Sequence, residues 1–557
     1  MILDYLDPSA PADLQADLCV IGAGPAGIAI ARSFIGSSVT VCVVEGGGLG
    51  GEDRSQSLYE GVSAGDTPFN AGTSRMRVFG GSCTLWGGGC IPLADSDMTA
   101  RDWVPDSGWP LRYADLAPWY AKAREFCRID DTHTFGQGAF DGPTPRKPLD
   151  LDPDVLMNFI FARSPVTFGE AYRDELGRAA NITVLLHANL MELRSNDTAS
   201  HIGEARIGSL DGRRGRVRAR HYVLAAGGIE NARILLLSDH VAAKGLGNDR
   251  DLVGRYFMDH PSGTIGTVHS DTPDRLTRPY ERTIGKARAP VASEIGLSPQ
   301  AQGRHRILNG RVHPFAVEGE VPHGIRALRE LRASLRPPTR DEGALLEARL
   351  NAALRNGPGG AAVAVPQNLA LTAMRLGLHI GDIVRAVAQK VGDRPTVRSD
   401  RVALVGFFEQ APNRDSRVAL DDRRDALGLR RVRVEWRLTD LDRHTYRTLT
   451  VLTGDRLANA CDGRFEPAPW TVDGDLPPEV HGTAHHMGTT RMATDPSQGV
   501  VDTDGKVFGV GNLHVAGSSV FPTGGWAFPT FTLIALSLRL ADQLRTLLQA
   551  CESSGLA

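Results

Sequence analysis

A chain of 557 residues, 41% hydrophobic and 23% charged, is long enough to bury a large core and to divide into more than one structural unit; two domains are expected. Its formal net charge of −3, with arginines scattered rather than gathered into one block, gives no general attraction to nucleic acid or anionic lipid, so partners must be argued from a site. Seven cysteines, an odd number with no C-x-x-C pair, argue against a disulfide framework or a zinc cluster, and no metal site is expected.

The first residues, Met1 to Gln15, carry Asp4, Asp7 and Asp13 and no basic segment leading into an apolar run, so they do not read as a secretory signal. No stretch is long and apolar enough to span a bilayer: the best candidate, Pro358 to Ile380, is interrupted by Gln367, Asn368 and Arg375. A soluble, reduced, cytoplasmic protein is the expectation.

From Asp17 to Val44 the chain reads strand, glycine turn, helix, strand, which is a βαβ unit. Gly22, Gly24 and Gly27 form G-x-G-x-x-G between the first strand and the helix. The first glycine permits the tight turn, the second lets backbone approach a pyrophosphate, and the third lets helix and strand pack. The helix N-terminus then offers free N–H groups to an anion. Glu45 ends the second strand 18 positions past Gly27 (45 minus 27), where a carboxylate can bind ribose hydroxyls and disfavour a 2′-phosphate. FAD and NAD share this fingerprint, so these residues leave the choice open.

The run from Arg77 to Pro92 is too glycine-dense for a strand or helix and too aromatic for a solvent loop. Backbone without side chains at Gly80, Gly81 and Gly87 to Gly89 can approach a planar ring; the plainer alternative is a tight turn packed by Phe79 and Trp86. Further on, Ile182 to Leu186 and His221 to Ala225 read as buried strands of the same layered domain. The second runs through Ala226, Gly227 and Gly228 into a helix from Glu230 to Leu237.

Between Arg326 and Val391 alanine, leucine and arginine recur at helical spacing, broken at Pro337 and Pro338 and again between Asn356 and Gly360. This reads as a helical insertion. From Val402 to Trp436 alternation returns, with Arg417 to Leu420 and Val432 to Trp436 as strands of an antiparallel sheet. The tail, Gly509 to Leu548, is strand, glycine-rich loop and long helix. Pro529 suits the first turn of that helix, and Thr532 to Leu544 shows its apolar period.

Near the C-terminus stand His485-His-Met-Gly-Thr-Thr-Arg-Met492, Asn512-Leu-His-Val-Ala-Gly517 and Ser518-Ser-Val-Phe-Pro522. With Gly22 to Gly27, Gly80 to Trp86, Val223 to Arg233, Gly254 to Pro261 and Glu409 to Asn413, these segments resemble, in order, the glucose-methanol-choline (GMC) oxidoreductase family, in particular its pyranose oxidase and bacterial glycoside oxidase branch.

The resemblance implies an α/β, Rossmann-like FAD domain, discontinuous over 1–100, 180–262 and 480–557. It implies a discontinuous α+β substrate domain over 101–179 and 263–479, with an antiparallel sheet and the helical insertion at about 320–395. It implies FAD rather than NAD. Gly22, Gly24, Gly27, Glu45, Gly80, Gly81, Ser82, Cys83, Trp86 and Ala226 then belong to the cofactor site. Asn189 and Leu190 lie near the adenine, Gly517 and Ser518 near the ribityl and pyrophosphate, and Phe528, Pro529 and Thr530 near the flavin. On its own, Cys83 reads equally as a small buried residue.

The resemblance gives His485 the role of base in a hydride transfer from a CH–OH carbon of a sugar, glycoside or other alcohol, a task that suits an imidazole near neutral pH. His486, His260 and His514 read as structural. Two positions depart from the family pattern. Phe528 stands where a second polar residue, His or Asn, is usual, which raises as an alternative a flavin-dependent lyase or another redox-neutral reaction. Leu85 stands where pyranose oxidase attaches its flavin through histidine, so noncovalent FAD is expected. Oxygen, a quinone and a protein all remain open as electron acceptor.

Overall fold

The βαβ unit is the nucleus of an eight-stranded sheet in the computed structural model, which describes residues 1–65, 67–129, 148–280, 291–319, 321–335, 378–391, 399–474 and 477–553. Strand Asp13–Ile21 leads into helix Pro25–Ser33 and strand Val41–Val44. The helix starts where it does because Gly24 is its N-cap and Pro25, with no N–H to satisfy, takes the first turn. Val41 to Val44 are all buried, as expected of a parallel strand covered on both faces.

Along this sheet the strands run Ile2–Asp4, Ile182–Leu186, Val41–Val44, Asp13–Ile21, Arg214–Leu224, Ile202–Gly208 and Asn189–Ser195. Leu513–Val515 pairs in parallel with Tyr222 to Leu224. The first five strands are parallel, and the last two join the sheet through antiparallel pairings. Where Asp13–Ile21 meets its helix, a Cβ on Gly27 would lie 1.9 Å from the carbonyl oxygen of Gly22. That oxygen is backbone and cannot swing aside. Gly27→Ala is therefore expected to lose about 3 kcal/mol, the upper end for an overpacked core, read as a lower midpoint in urea with unchanged slope.

A second eight-stranded sheet is antiparallel throughout. Its order is Arg464–Pro467, Pro261–His269, Ser399–Phe408, Gly310–Glu318, Val291–Leu297, Leu156–Arg163 and Gly89–Cys90, with His481–Gly482 also pairing to Pro261–His269. The antiparallel strands expected at 417–420 and 432–436 form, somewhat longer, as a hairpin of Arg417–Arg424 and Arg430–Trp436. It sits in neither large sheet but in a separate three-stranded one, completed by Gly61–Gly65 running parallel to Arg430–Trp436.

The last helix, Pro529–Ser553, packs on Pro25–Ser33 and on Tyr113–Phe126, with Phe531 stacked on Tyr120 and Ile534, Ala535, Ala541 and Leu544 buried. Of the expected helical insertion, His323–Leu335 and Ile380–Val391 are helices; 336–377 lies outside the described residues. Among the described residues no helix is long and apolar enough to cross a membrane, and no group of three or more His, Cys, Asp or Glu is placed to hold a metal ion.

Candidate active site

A cleft of about 1360 Å³, counted with its open mouth, lies against the carboxyl ends of the parallel strands. Three helices begin at its wall: Pro25–Ser33, Gly227–Leu237 and Pro529–Ser553, whose first residues all line it. Each start presents N–H groups without intrahelical partners and a partial positive charge, which suits an anionic group.

Gly22, Gly24, Glu45, Gly81, Ser82, Cys83, Leu190 and Ala226 line this cleft, as do Gly517, Ser518, Pro529, Thr530 and His485. Gly22 turns at φ +102°, a conformation open to glycine. The buried Glu45 carboxylate accepts hydrogen bonds from the N–H groups of Ala23 and Gly47, both at 2.8 Å. Burial nevertheless pushes its pKa up. A Cβ added at Gly227 or Gly517 would meet nothing within 4 Å, because both residues face the open cleft.

Five positions singled out from the sequence do not line the cleft. Gly27 packs helix on strand, as above. Gly80 lies against the backbone of Gly169, 3.0 Å from where its Cβ would be. The Trp86 indole donates to the carbonyl of Val166 at 3.2 Å and packs on Phe168. Asn189 is buried between sheet and loop, donating to the Gly208 carbonyl and accepting from Arg77 at 2.7 Å. Phe528 fills the space beside Gly89, where a Cβ would stand 2.6 Å from its ring, and packs edge-on against Phe161. Its ring centre is 5.8 Å from that of His485. The Cys83 thiol, 3.9 Å from the Thr530 hydroxyl, is pushed by burial up to about 12 and stays protonated.

One wall was not legible in the sequence. Arg75, Glu230, Arg233 and Asp425 line the cleft as a buried chain of alternating charge: Arg75 to Glu230 at 2.8 Å, Glu230 to Arg233 at 3.3 Å and Arg233 to Asp425 at 2.6 Å. Arg75 also lies over the ring of Tyr59, 4.0 Å from its centre. This chain ties the early loop and the helix Gly227–Leu237 to the tip of the hairpin that joins Arg417–Arg424 to Arg430–Trp436.

His485 stands at the same cleft on a loop fixed by a distant segment. Met258 and Met487 pair backbone to backbone, which sets Asp259 and His260 beside Thr483, Ala484 and His485. The His485 Nδ1 lies 2.9 Å from the Thr483 hydroxyl and 3.0 Å from His260 Nδ1. Burial, then the nearby His260, Arg311 and His486, hold its pKa well below the usual imidazole value. His486 also borders the cleft, but its ring packs against Phe69 and Phe257, and burial and then Arg75 lower its pKa to about 3.

Residues 412–537 match the family model of GMC oxidoreductase. The chain is 34% identical to C-glycoside 3-oxidase of Arthrobacter globiformis over 167 residues, which is 29% of this chain and 31% of that enzyme. It is 24% identical to 6'''-hydroxyparomomycin C oxidase of Streptomyces lividus over 98% of this chain and 94% of that one. A crystal structure of formate oxidase superimposes over 97% of this chain and all of the other, with a TM-score of 0.55 at 16% identity, so the fold is shared. With its parallel sheet and its cleft at three helix starts, the chain shares the fold of formate oxidase, and its residues 412–537 match GMC oxidoreductase.

Proposed function

We propose that the cleft binds FAD and that the enzyme oxidises a CH–OH carbon of a sugar, a glycoside or another small alcohol, with His485 as the base. The residues present fit such a group. Three helix starts meet the charge of a pyrophosphate and of a reduced ring, Glu45 is placed for ribose hydroxyls, and the open faces of Gly227 and Gly517 leave room for a ligand at the backbone. Gly22, Gly24 and Ser518 would lie along the dinucleotide, with Pro529 and Thr530 at the flavin end. The discontinuous division into an FAD domain and a substrate domain read from the sequence belongs to the same proposal.

The observation that carries the reading is His485 itself. It lines the cleft while its Nδ1 is engaged by Thr483 and His260, so Nε2 is the nitrogen left for a substrate hydroxyl. FAD, when bound, supplies the acceptor for the two electrons and the hydrogen that leave the carbon. His485 takes the hydroxyl proton at Nε2, which lets the oxygen form a carbonyl as the carbon loses its hydrogen. The lowered pKa keeps the imidazole neutral and ready to accept near pH 7.

The sugar or glycoside class is supported by the similarity to the enzyme named C-glycoside 3-oxidase. It is tested by mixing the holoprotein with monosaccharides, glycosides and simple alcohols without oxygen. Loss of the oxidised flavin absorbance is expected with at least one sugar or glycoside; no loss with any alcohol would remove the reading. Phe528 favours one second reading, a redox-neutral reaction such as a lyase, because its ring puts no polar group beside His485. In that case the same alcohols leave the flavin oxidised.

Leu85 stands where a histidine would be needed for a covalent link, and its side chain cannot form one. Acid precipitation followed by centrifugation should leave the yellow colour in the supernatant. Colour in the pellet would show a covalent flavin.

A further inference from the structure

The single proton on a neutral His485 has two possible positions, and the surroundings select one. His485 Nδ1 and His260 Nδ1 are 3.0 Å apart. One of them must donate and the other accept. The Thr483 hydroxyl has acceptors of its own, the Asp259 carboxylate at 3.3 Å and the His260 carbonyl at 3.1 Å. Donating to either turns its oxygen towards His485 as an acceptor, 2.9 Å from Nδ1.

With Thr483 accepting, the proton lies on His485 Nδ1, and His260 Nδ1 is its second acceptor. His260 is 3% exposed, and burial, then the Arg311 charge, draw its pKa down to about 4, so near neutral pH it carries one N–H. Its Nε2 is buried without a partner in full hydrogen-bond geometry. A Cβ on Gly524 would stand 3.3 Å from that nitrogen. Because His260 Nδ1 accepts, the single N–H of His260 lies on Nε2.

The two rings are held in this relation by one carboxylate. Asp259, fully buried, accepts from the N–H groups of His260 at 2.7 Å, His485 at 2.8 Å, and Thr483 and Ala484 at 3.2 Å. Ala484 stands at φ +63°, a left-handed conformation that a residue with a Cβ holds only when its surroundings insist. The bonds to Asp259 supply that constraint.

We propose that His260 is a positioning residue that fixes His485 as its Nδ1–H tautomer, leaving the lone pair of His485 Nε2 turned to the cleft for the substrate's hydroxyl proton. The inference rests on the reading of His485 as the base. Proton bookkeeping is simple: the proton taken from the hydroxyl stays on His485 Nε2, and the Nδ1–H keeps its bond to His260, over which the new positive charge is shared. It also accounts for how His485 is oriented in a protein whose residue 528 is a phenylalanine.

The test is the protonation of each His485 ring nitrogen, read by nitrogen NMR on holoprotein carrying labelled histidine, with the signals assigned by their loss in His485→Gln. The wild type is expected to show a proton on Nδ1 and none on Nε2. His260→Leu removes the acceptor, and should mix the two tautomers and slow anaerobic flavin reduction 10- to 100-fold, on the order expected for removing a residue that orients a functional histidine. In His260→Asn the side-chain oxygen can stand where Nδ1 stood, and this variant should keep the tautomer and react within a few-fold of wild type. A proton on Nε2 of wild-type His485 overturns the proposal even if His260→Leu does not fold. So does a His260→Leu protein with unchanged tautomer and rate. The base reading fails separately, through a His485→Ala protein that reduces its flavin as fast as wild type while the NMR result stands.

Discussion

Replacing His485 with alanine is expected to slow reduction of the bound flavin by an alcohol by a factor of roughly 10² to 10⁴, the usual contribution of a positioned base. FAD content and melting temperature should remain close to those of the wild type. The reason is local. His485 lines the cleft rather than filling the core, and the bonds that hold its loop run from its backbone and its neighbours to Asp259. Truncating the ring removes the group proposed to take the proton and leaves that scaffold intact. Anaerobic stopped-flow mixing reads the rate directly. A variant within a few-fold of wild type would assign the base elsewhere.

The second large effect is on stability. Glu230 is 5% exposed and lies between Arg75 and Arg233, which are themselves buried. Glu230→Ala leaves both cations in the interior with half their compensation, and breaking a buried pair in this way typically costs about 3–5 kcal/mol. Arg233 keeps Asp425, so the damage should fall on Arg75 and the loop that carries it, and with them on one wall of the cleft. Urea unfolding and the FAD dissociation constant of the variant measure the two consequences.

The same carboxylate sets a pH dependence. Burial raises its pKa, but the Arg233 and Arg75 charges outweigh burial and hold it near 2, below the ordinary 4.5. A depressed carboxylate pKa stabilises the fold fully above the unfolded value and loses that stabilisation as pH falls. Stability should therefore decline between about pH 4.5 and 2, and this part of the decline should be absent in Glu230→Ala.

Local rules carried much of the fold. Gly22, Gly24 and Gly27 between two apolar strands, and Pro529 ahead of an apolar period, announce structure through neighbours in sequence, and Ile182–Leu186 forms as its apolar run suggests. The sheets that join distant segments were out of reach of that logic. Gly61–Gly65 pairs with Arg430–Trp436 across some 370 positions, and Leu156–Arg163 with Val291–Leu297; alternation marks a strand but does not name its partner.

The site divides along the same line. His485 and the glycines could be pointed to because each sits in a short motif. The Arg75, Glu230, Arg233 and Asp425 chain could not, because ion pairs in the interior are chosen by the fold and look in sequence like any surface charge. His260 lies in the segment from Gly254 to Pro261 and by sequence reads as structural. Its contact with His485 exists only because Met258 and Met487 pair, a bridge that no local pattern encodes. Trp86 and Asn189 show the converse: both lie in or beside segments that build the cleft, yet their side chains satisfy Val166, Gly208 and Arg77 instead.

The central claim, that a carbon-bound hydrogen leaves a CH–OH substrate for a flavin held in this cleft, is tested most directly by an isotope effect. The best alcohol or glycoside from the anaerobic screen is prepared with deuterium on the reacting carbon and mixed with oxidised holoprotein. Bleaching should still go to completion, several-fold more slowly than with the protiated substrate. Equal rates for the two, in a reaction where flavin reduction itself is followed, or an absorbance that never changes, would contradict it.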